Sequence, residues 1–428
     1  MRAALILALA GLLVAAAPAA ALERYVPMKG APGAGPAKYD RLFVQQLGPR
    51  RHDRVVVLVP GTNGGAGGIT PVARDIVARV PRTQVWIVDR REQAFEDTSV
   101  FATGDPEAAQ DYYLGFKYRR VLGADVPYVA EWGLEQQLQD LRRVVLRARR
   151  GGREVILGGH SAGASTAVAY AAWDFRGRPG VRDLAGLVLI DGGLLGSFSS
   201  SGVERARNEL AEIRSGEVFL DLLGLGLPEV NGIFAQVGAL WAHKRPDEPS
   251  VLQQYPPLPA FLKPAFPVTN EAQFGYAFDE TTSPDELSLI HIRAGRLAAG
   301  GDPSGWEDGE VTPIRRFARA YAADRPNATE WYYPRRLLLD IDAASSLRQT
   351  PAASYLGLRL LHGRRIDVPL YAYSTALTKG RVARGAKRLA RMSRIEELSI
   401  VDDRGTSHLD PLSAAPRRND FLKPSCRS

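Results

Sequence analysis

Gly159-His160-Ser161-Ala162-Gly163 sets a serine between two glycines, each two residues away. A serine hydroxyl is a weak nucleophile at neutral pH. It becomes effective where a base can take its proton and where donors can hold the oxyanion its attack creates. The G-x-S-x-G spacing suits a strained strand-to-helix turn that lifts the hydroxyl above a sheet, with the glycines leaving room for close backbone approach. The chemistry implied is acyl transfer. One oxyanion donor is expected from the backbone N–H of Ala162, at the start of the following helix. A second is expected from the loop Pro60-Gly61-Thr62-Asn63-Gly64-Gly65, where the Thr62 N–H is the candidate. That loop carries neither G-x-x-x-x-G-K-[ST] nor G-x-G-x-x-G, so it does not read as a phosphate cradle.

These residues need elements to hold them. A continuous β-branched run at 55–59, directly before the glycine loop, has the pattern of a strand buried on both faces of a parallel sheet. Helical spacing follows over 70–80, then a strand over 84–88. Residues 134–149 form an amphipathic helix pattern with Leu134, Leu138, Leu141 and Val145 on one stripe. A strand over 154–158, the serine turn, a small-residue helix over 162–173 and a strand over 184–190 come next, the last ending at Asp191-Gly192-Gly193.

The alternation stops between about 197 and 365, where helical stretches surround a Pro-rich segment at 246–267. It resumes with a strand over 368–373, a helix over 382–392, a strand over 398–401 and a last helix after Pro411. The expected fold class is α/β: a doubly wound, mostly parallel sheet with a largely helical cap inserted between two strands. Such an insertion would overhang the strand ends where sheets of this kind bind ligands. The expected organisation is a leader over 1–21, a Gly/Pro-rich linker over 22–37, a first core part over 38–196, a cap over 197–365 and a second core part over 366–428.

Strand, turn and helix around Ser161, with Val59-Pro60-Gly61-Thr62, resemble the α/β-hydrolase superfamily, nearest to its lipase and esterase branches. The resemblance covers about residues 40–195 and 365–425, and no particular family is evident in the cap. It implies a triad in the order serine, acid, histidine, with the histidine after the last strand. Of six histidines only His408 lies there, and it is the expected general base. His160 reads as a supporting residue.

The commonest pattern puts the acid after the strand at 368–373, but residues 374–395 contain no Asp or Glu. Asp191 ends the strand after the nucleophile helix, a position some lipases use, and is the leading candidate. Asp403 or Asp402, in the His408 loop, is the alternative. The resemblance implies an acyl-enzyme on Ser161, no metal or organic cofactor, and a small-molecule or lipid-like ester as substrate, its acyl group apolar or aromatic. An acyltransferase, a serine peptidase and a non-catalytic binding protein share the same framework.

The bulk properties bound the partners. Of 428 residues, 45% are apolar and 24% charged, which suits a folded globular chain. The net charge of +8 comes largely from scattered arginines, and the clusters near Arg142 to Arg150 and Arg381 to Arg391 have the spacing of solvated helix faces. No nucleic-acid partner is expected, because nucleic-acid binders concentrate charge on one face. Met1-Arg2, an apolar run to Ala17 and Pro18-Ala19-Ala20-Ala21 read as a cleaved secretory leader, so a secreted or periplasmic product without a membrane-spanning segment is expected. The run is shorter than the roughly 20 residues that span a bilayer. A single cysteine, Cys426, allows no internal disulfide. Asn327-Ala328-Thr329 matches a glycosylation acceptor.

Overall fold

The computed structural model describes residues 22–197, 200, 202–309 and 311–423. The expected leader over 1–21 and Cys426 lie outside the described residues. Eight strands form one sheet: β1 (Leu22–Lys29), β2 (Arg41–Gly48), β3 (Arg54–Val59), β4 (Thr83–Asp89), β5 (Glu154–His160), β6 (Gly186–Ile190), β7 (Leu370–Ser374) and β8 (Leu398–Asp402). Their spatial order is β1-β2-β4-β3-β5-β6-β7-β8. β2 runs antiparallel to both neighbours, and from β4 to β8 every pairing is parallel. Val55, Val57, Leu58 and Val59 of β3 are all buried, as expected of a strand covered on both faces. The helices α1 (Ala66–Arg79), α2 (Leu134–Ala148) and α3 (Ala162–Ala172) follow β3, precede β5 and follow β5 respectively. α2 buries Leu134, Leu138, Leu141 and Val145, the stripe its sequence predicts.

Two expectations are corrected. The stretch over 22–37 begins not as a linker but as the edge strand β1, in full antiparallel register with β2 from Leu22↔Gly48 to Lys29↔Arg41. Its half-buried alternation is weak, and Pro27, tolerated on an edge strand, conceals it. The helix expected after Pro411 is a single turn, Asp410–Ser413. Pro416 disfavours helical backbone at the residue before it, and Ala414 is already extended.

Between β6 and β7 lie the helices α4 (Val203–Arg214), α5 (Val230–Lys244), α6 (Asn270–Phe278), α7 (Ile314–Tyr321) and α8 (Arg335–Ala343), with one small hairpin of Gly295–Gly301 and Ser304–Asp308. This is the expected insertion, largely helical. α9 (Arg381–Met392) returns the chain to the sheet. Part of the basic cluster on α2 is compensated within the chain: Arg142, Arg149 and, from a neighbouring turn, Arg178 converge on the buried Asp183 carboxylate at 3.3, 3.1 and 2.8 Å. Among the described residues no helix is long and apolar enough to cross a membrane.

Candidate active site

Ser161 stands between the end of β5 and the start of α3 at φ 54° and ψ −123°, a conformation L-residues adopt only when the surroundings enforce it. Two features enforce it. The Ser161 N–H continues the sheet ladder by donating to Ile190 O at 2.9 Å, while Ser161 O already accepts from Ala164 N at 3.0 Å as the first helical carbonyl. The chain must turn within one residue. Gly163 makes this possible, because a Cβ there would collide with Val59 O of the adjacent β3.

The neighbouring strand end carries Asp191, also at positive φ (43°) and fully buried. Its Oδ2 lies 2.6 Å from His408 Nδ1. An ionised carboxylate only accepts, so Nδ1 carries the proton and Nε2 is left free as a base. Thr375, the residue after β7, secures the carboxylate, its N–H donating to Oδ1 at 2.8 Å and its hydroxyl donating to Oδ2. Burial pushes the Asp191 carboxyl up. The hydrogen bonds from His408 and Thr375, with the attraction of His408, outweigh burial and leave it below its ordinary value.

Asp403 and Asp402 are committed elsewhere. Asp403 accepts from Tyr373 Oη at 2.5 Å and Gly405 N at 2.8 Å, and Asp402 pairs with Arg404 at 2.9 Å. The structure therefore brings Asp191, not Asp402 or Asp403, to His408.

His160 packs against His408. Its Nε2 lies 2.9 Å from His408 O, and the two rings are 4.3 Å apart. A carbonyl only accepts, so His160 is protonated on Nε2. Burial, then the nearby His408, lowers its pKa to about 3, keeping it neutral. The loop that carries His408 is tied to the cap by Asp410. This buried carboxylate accepts from Ser407 N and Thr312 Oγ1 at 2.6 Å each and from Arg293 N at 3.0 Å. Burial raises its pKa to about 6.

The glycine loop after β3 passes directly over the serine: a Cβ on Gly61 would lie 2.9 Å from Ser161 Cβ. A residue that sequence reasoning missed fixes its orientation. Arg90, immediately after β4, is buried and donates to Pro60 O at 2.6 Å and to Gly61 O at 3.0 Å. The Gly61–Thr62 peptide is trans, so holding its carbonyl against Arg90 turns the Thr62 N–H away from Arg90. Arg90 is paired in turn with Glu330 of the cap, and both side chains are almost wholly buried. The cap backbone completes the clamp, with Glu330 N donating to Asn63 O at 2.8 Å and Gly65 N to Ala328 O at 2.9 Å. Asn327, of the glycosylation match, is buried here and hydrogen-bonded to Glu96, so it is not presented for modification in this fold. The available signal was the charged run Asp89-Arg90-Arg91-Glu92 directly after the apolar Val85-Trp86-Ile87-Val88.

Thr62, Ser161 and His408 line one cavity, roofed by the cap residues Leu222, Ala235, Phe278 and Tyr321. Ala162 lies at the head of α3, where the first N–H groups of a helix have no intrahelical partner and favour negative charge. Among the described residues no cluster of His, Cys, Asp or Glu could hold a metal ion.

No family model matches this chain, and no curated protein matches it. Solved structures do. A protein from Sulfolobus solfataricus, provisionally described as a lipase, superposes with a TM-score of 0.51 at 15% identity over 95% of each chain. Epoxide hydrolase A from Mycobacterium thermoresistibile superposes with a TM-score of 0.42 at 16% identity over 94% of this chain and 95% of that one. A thermophilic esterase from Thermogutta terrifontis gives 0.37 at 14% over 91% and 93%. The strand order, the single antiparallel strand inside the sheet, the cap between β6 and β7 and the superposition over nearly the whole chain establish that this protein has the α/β-hydrolase fold.

Proposed function

We propose that the protein is a serine hydrolase that cleaves carboxylic esters through an acyl-enzyme on Ser161. The observation that carries this reading is the buried Asp191–His408 pair beside a serine held at positive φ, with Ser161 and His408 lining one cavity. His408 Nε2 takes the Ser161 proton as Oγ attacks the ester carbonyl. Asp191 holds the tautomer and stabilises the imidazolium that forms. The N–H groups of Thr62 and Ala162 receive the oxyanion. His408 then protonates the departing alcohol, and water, deprotonated by the same nitrogen, releases the acid. The largely apolar roof favours esters of apolar or aromatic acyl groups. The leader pattern at the start of the chain makes it an exported protein, which the amino-terminal mass of the protein recovered outside the cytoplasm tests.

A fluorophosphonate probe and a series of aryl esters test the chemistry. The chain is expected to label and to turn over, and Ser161→Ala to lose labelling and about 10⁶-fold in kcat. A folded chain that neither labels nor turns over any ester would overturn the reading.

A further inference from the structure

Beside the catalytic cavity lies a second chamber, built entirely from the cap. Asn231 and Ala235 of α5, Phe278 of α6 and Ile290 belong to the walls of both spaces, so the chamber adjoins the Ser161 cavity across these four residues. Its remaining wall is mainly apolar, with Phe234, Trp241, Leu252, Leu258, Leu262 and Phe274.

One polar group in that wall stands apart. Gln273 of α6 is only 4% exposed. Its Nε2 donates to Leu262 O, and since a carbonyl only accepts, this bond fixes which end of the amide is the oxygen. The Oε1 is buried and has no protein donor. The other polar residue of the α6 wall differs: Asn270 accepts from Val251 N and donates to Arg245 O. A buried acceptor left unpaired is costly, and a group brought in by a ligand can satisfy it.

We infer that the chamber receives the apolar part of the ester and that this part carries a hydroxyl, which donates to Gln273 Oε1. The inference rests on the ester-hydrolase reading and sharpens its substrate class from apolar esters to hydroxylated apolar ones. Ala235 is the smallest of the four shared residues, so the acyl group is expected to cross beside it, and a larger side chain there should obstruct that crossing.

The experiment compares kcat/KM for 4-nitrophenyl acetate, 4-nitrophenyl decanoate and a set of 4-nitrophenyl hydroxydecanoates with the hydroxyl at successive carbons. At least one hydroxydecanoate is expected to exceed decanoate by about tenfold or more. Gln273→Met should bring that ratio to about one or below. Ala235→Trp should lower the decanoate-to-acetate ratio at least tenfold.

Binding of the same intact esters to Ser161→Ala, followed by calorimetry, should show the same preference independently of turnover. Decanoate preferred over every hydroxydecanoate, with the ratio unmoved by Gln273→Met, would overturn the hydroxyl assignment. A decanoate-to-acetate ratio untouched by Ala235→Trp would overturn the chamber. Failure to turn over even acetate would fault the ester-hydrolase reading instead, so the two failures are distinguishable.

Discussion

Two walls face each other across the Ser161 cavity, and they are held in different ways. The sheet wall sets Ser161 and Asp191 through backbone: adjacent strand ends, continued ladder bonds and two residues forced to positive φ. The cap wall sets the glycine loop and the His408 loop through buried charge, the Arg90–Glu330 pair on one side and Asp410 on the other. A backbone-built wall responds to substitution locally. A wall built from buried ionisable groups responds to any change in their charge, because an ion out of water is tolerated only while its partner is present.

The largest effect that would break this contrast lies on the sheet wall. Asp191→Asn keeps the shape but removes the charge that fixes the His408 tautomer, and kcat should fall about 10⁴-fold. Asp403→Asn, which loses only contacts to Tyr373 and Gly405, should stay within about twofold. Steady-state kinetics on a soluble aryl ester decides between them. If Asp403→Asn proved the damaging change, the acid would have to come from the His408 loop, and the β6 end would be structural.

The next effect tests the cap wall. Arg90→Met alone strands Glu330 as a buried, unpaired carboxylate, at a cost of about 3–5 kcal/mol. The double variant Arg90→Met/Glu330→Gln avoids that and isolates the positioning role. With the Pro60 and Gly61 carbonyls released, the Thr62 N–H is no longer aimed. A fall of about 10²–10³ in kcat, with little change in KM, is expected, the size of losing one oxyanion donor. Melting temperature measured on the same samples separates this from unfolding. A stable double variant with full kcat would show that Arg90 braces the fold without aiming the loop.

The same division explains what could be read from the sequence. Strands at β3 to β8, the serine turn, His408 and the glycine loop announce themselves through local patterns: apolar runs, paired glycines, one histidine after the last strand. Asp191 could be placed in the right layer, but its partner could not be fixed. That choice depends on Thr375, just past the end of β7 and 184 residues away, donating to its carboxylate and so anchoring it where His408 arrives. Arg90 and Glu330 lie 240 residues apart and signal nothing individually, since charged residues in sequence read as solvated. Strand β1 was missed for a third reason: a half-buried edge has no strong period, and Pro27 weakened what there was.

The smallest effect concerns pH. Burial raises Asp89, at the end of β4, to about 7, and raises Glu92 as well. A carboxyl whose folded pKa is raised contributes stability that is fully present below its unfolded value near 4. That contribution is lost as pH rises through the folded value. His160 acts in the opposite sense. Its folded pKa near 3 makes stability climb with pH until the unfolded imidazole has titrated, near 6.5. Asp191, lowered in the fold, loses its contribution only on the acid side, as pH falls from its unfolded value near 4 through the folded one. Above 6.5 the buried carboxyls therefore act without opposition from His160 or Asp191, and calorimetry should show the melting temperature falling from pH 6.5 to 8. Asp89 accepts from Tyr25 Oη at 2.7 Å and from Ala66 N at 2.6 Å, so Asp89→Asn can keep an acceptor for Ala66 while removing the proton in question. That variant should melt with a shallower slope over the same window, with kcat on aryl esters little altered. An unchanged slope would place the pH-sensitive charge on Glu92 and the cap wall, beside Arg90 and Glu330, and not at the end of β4.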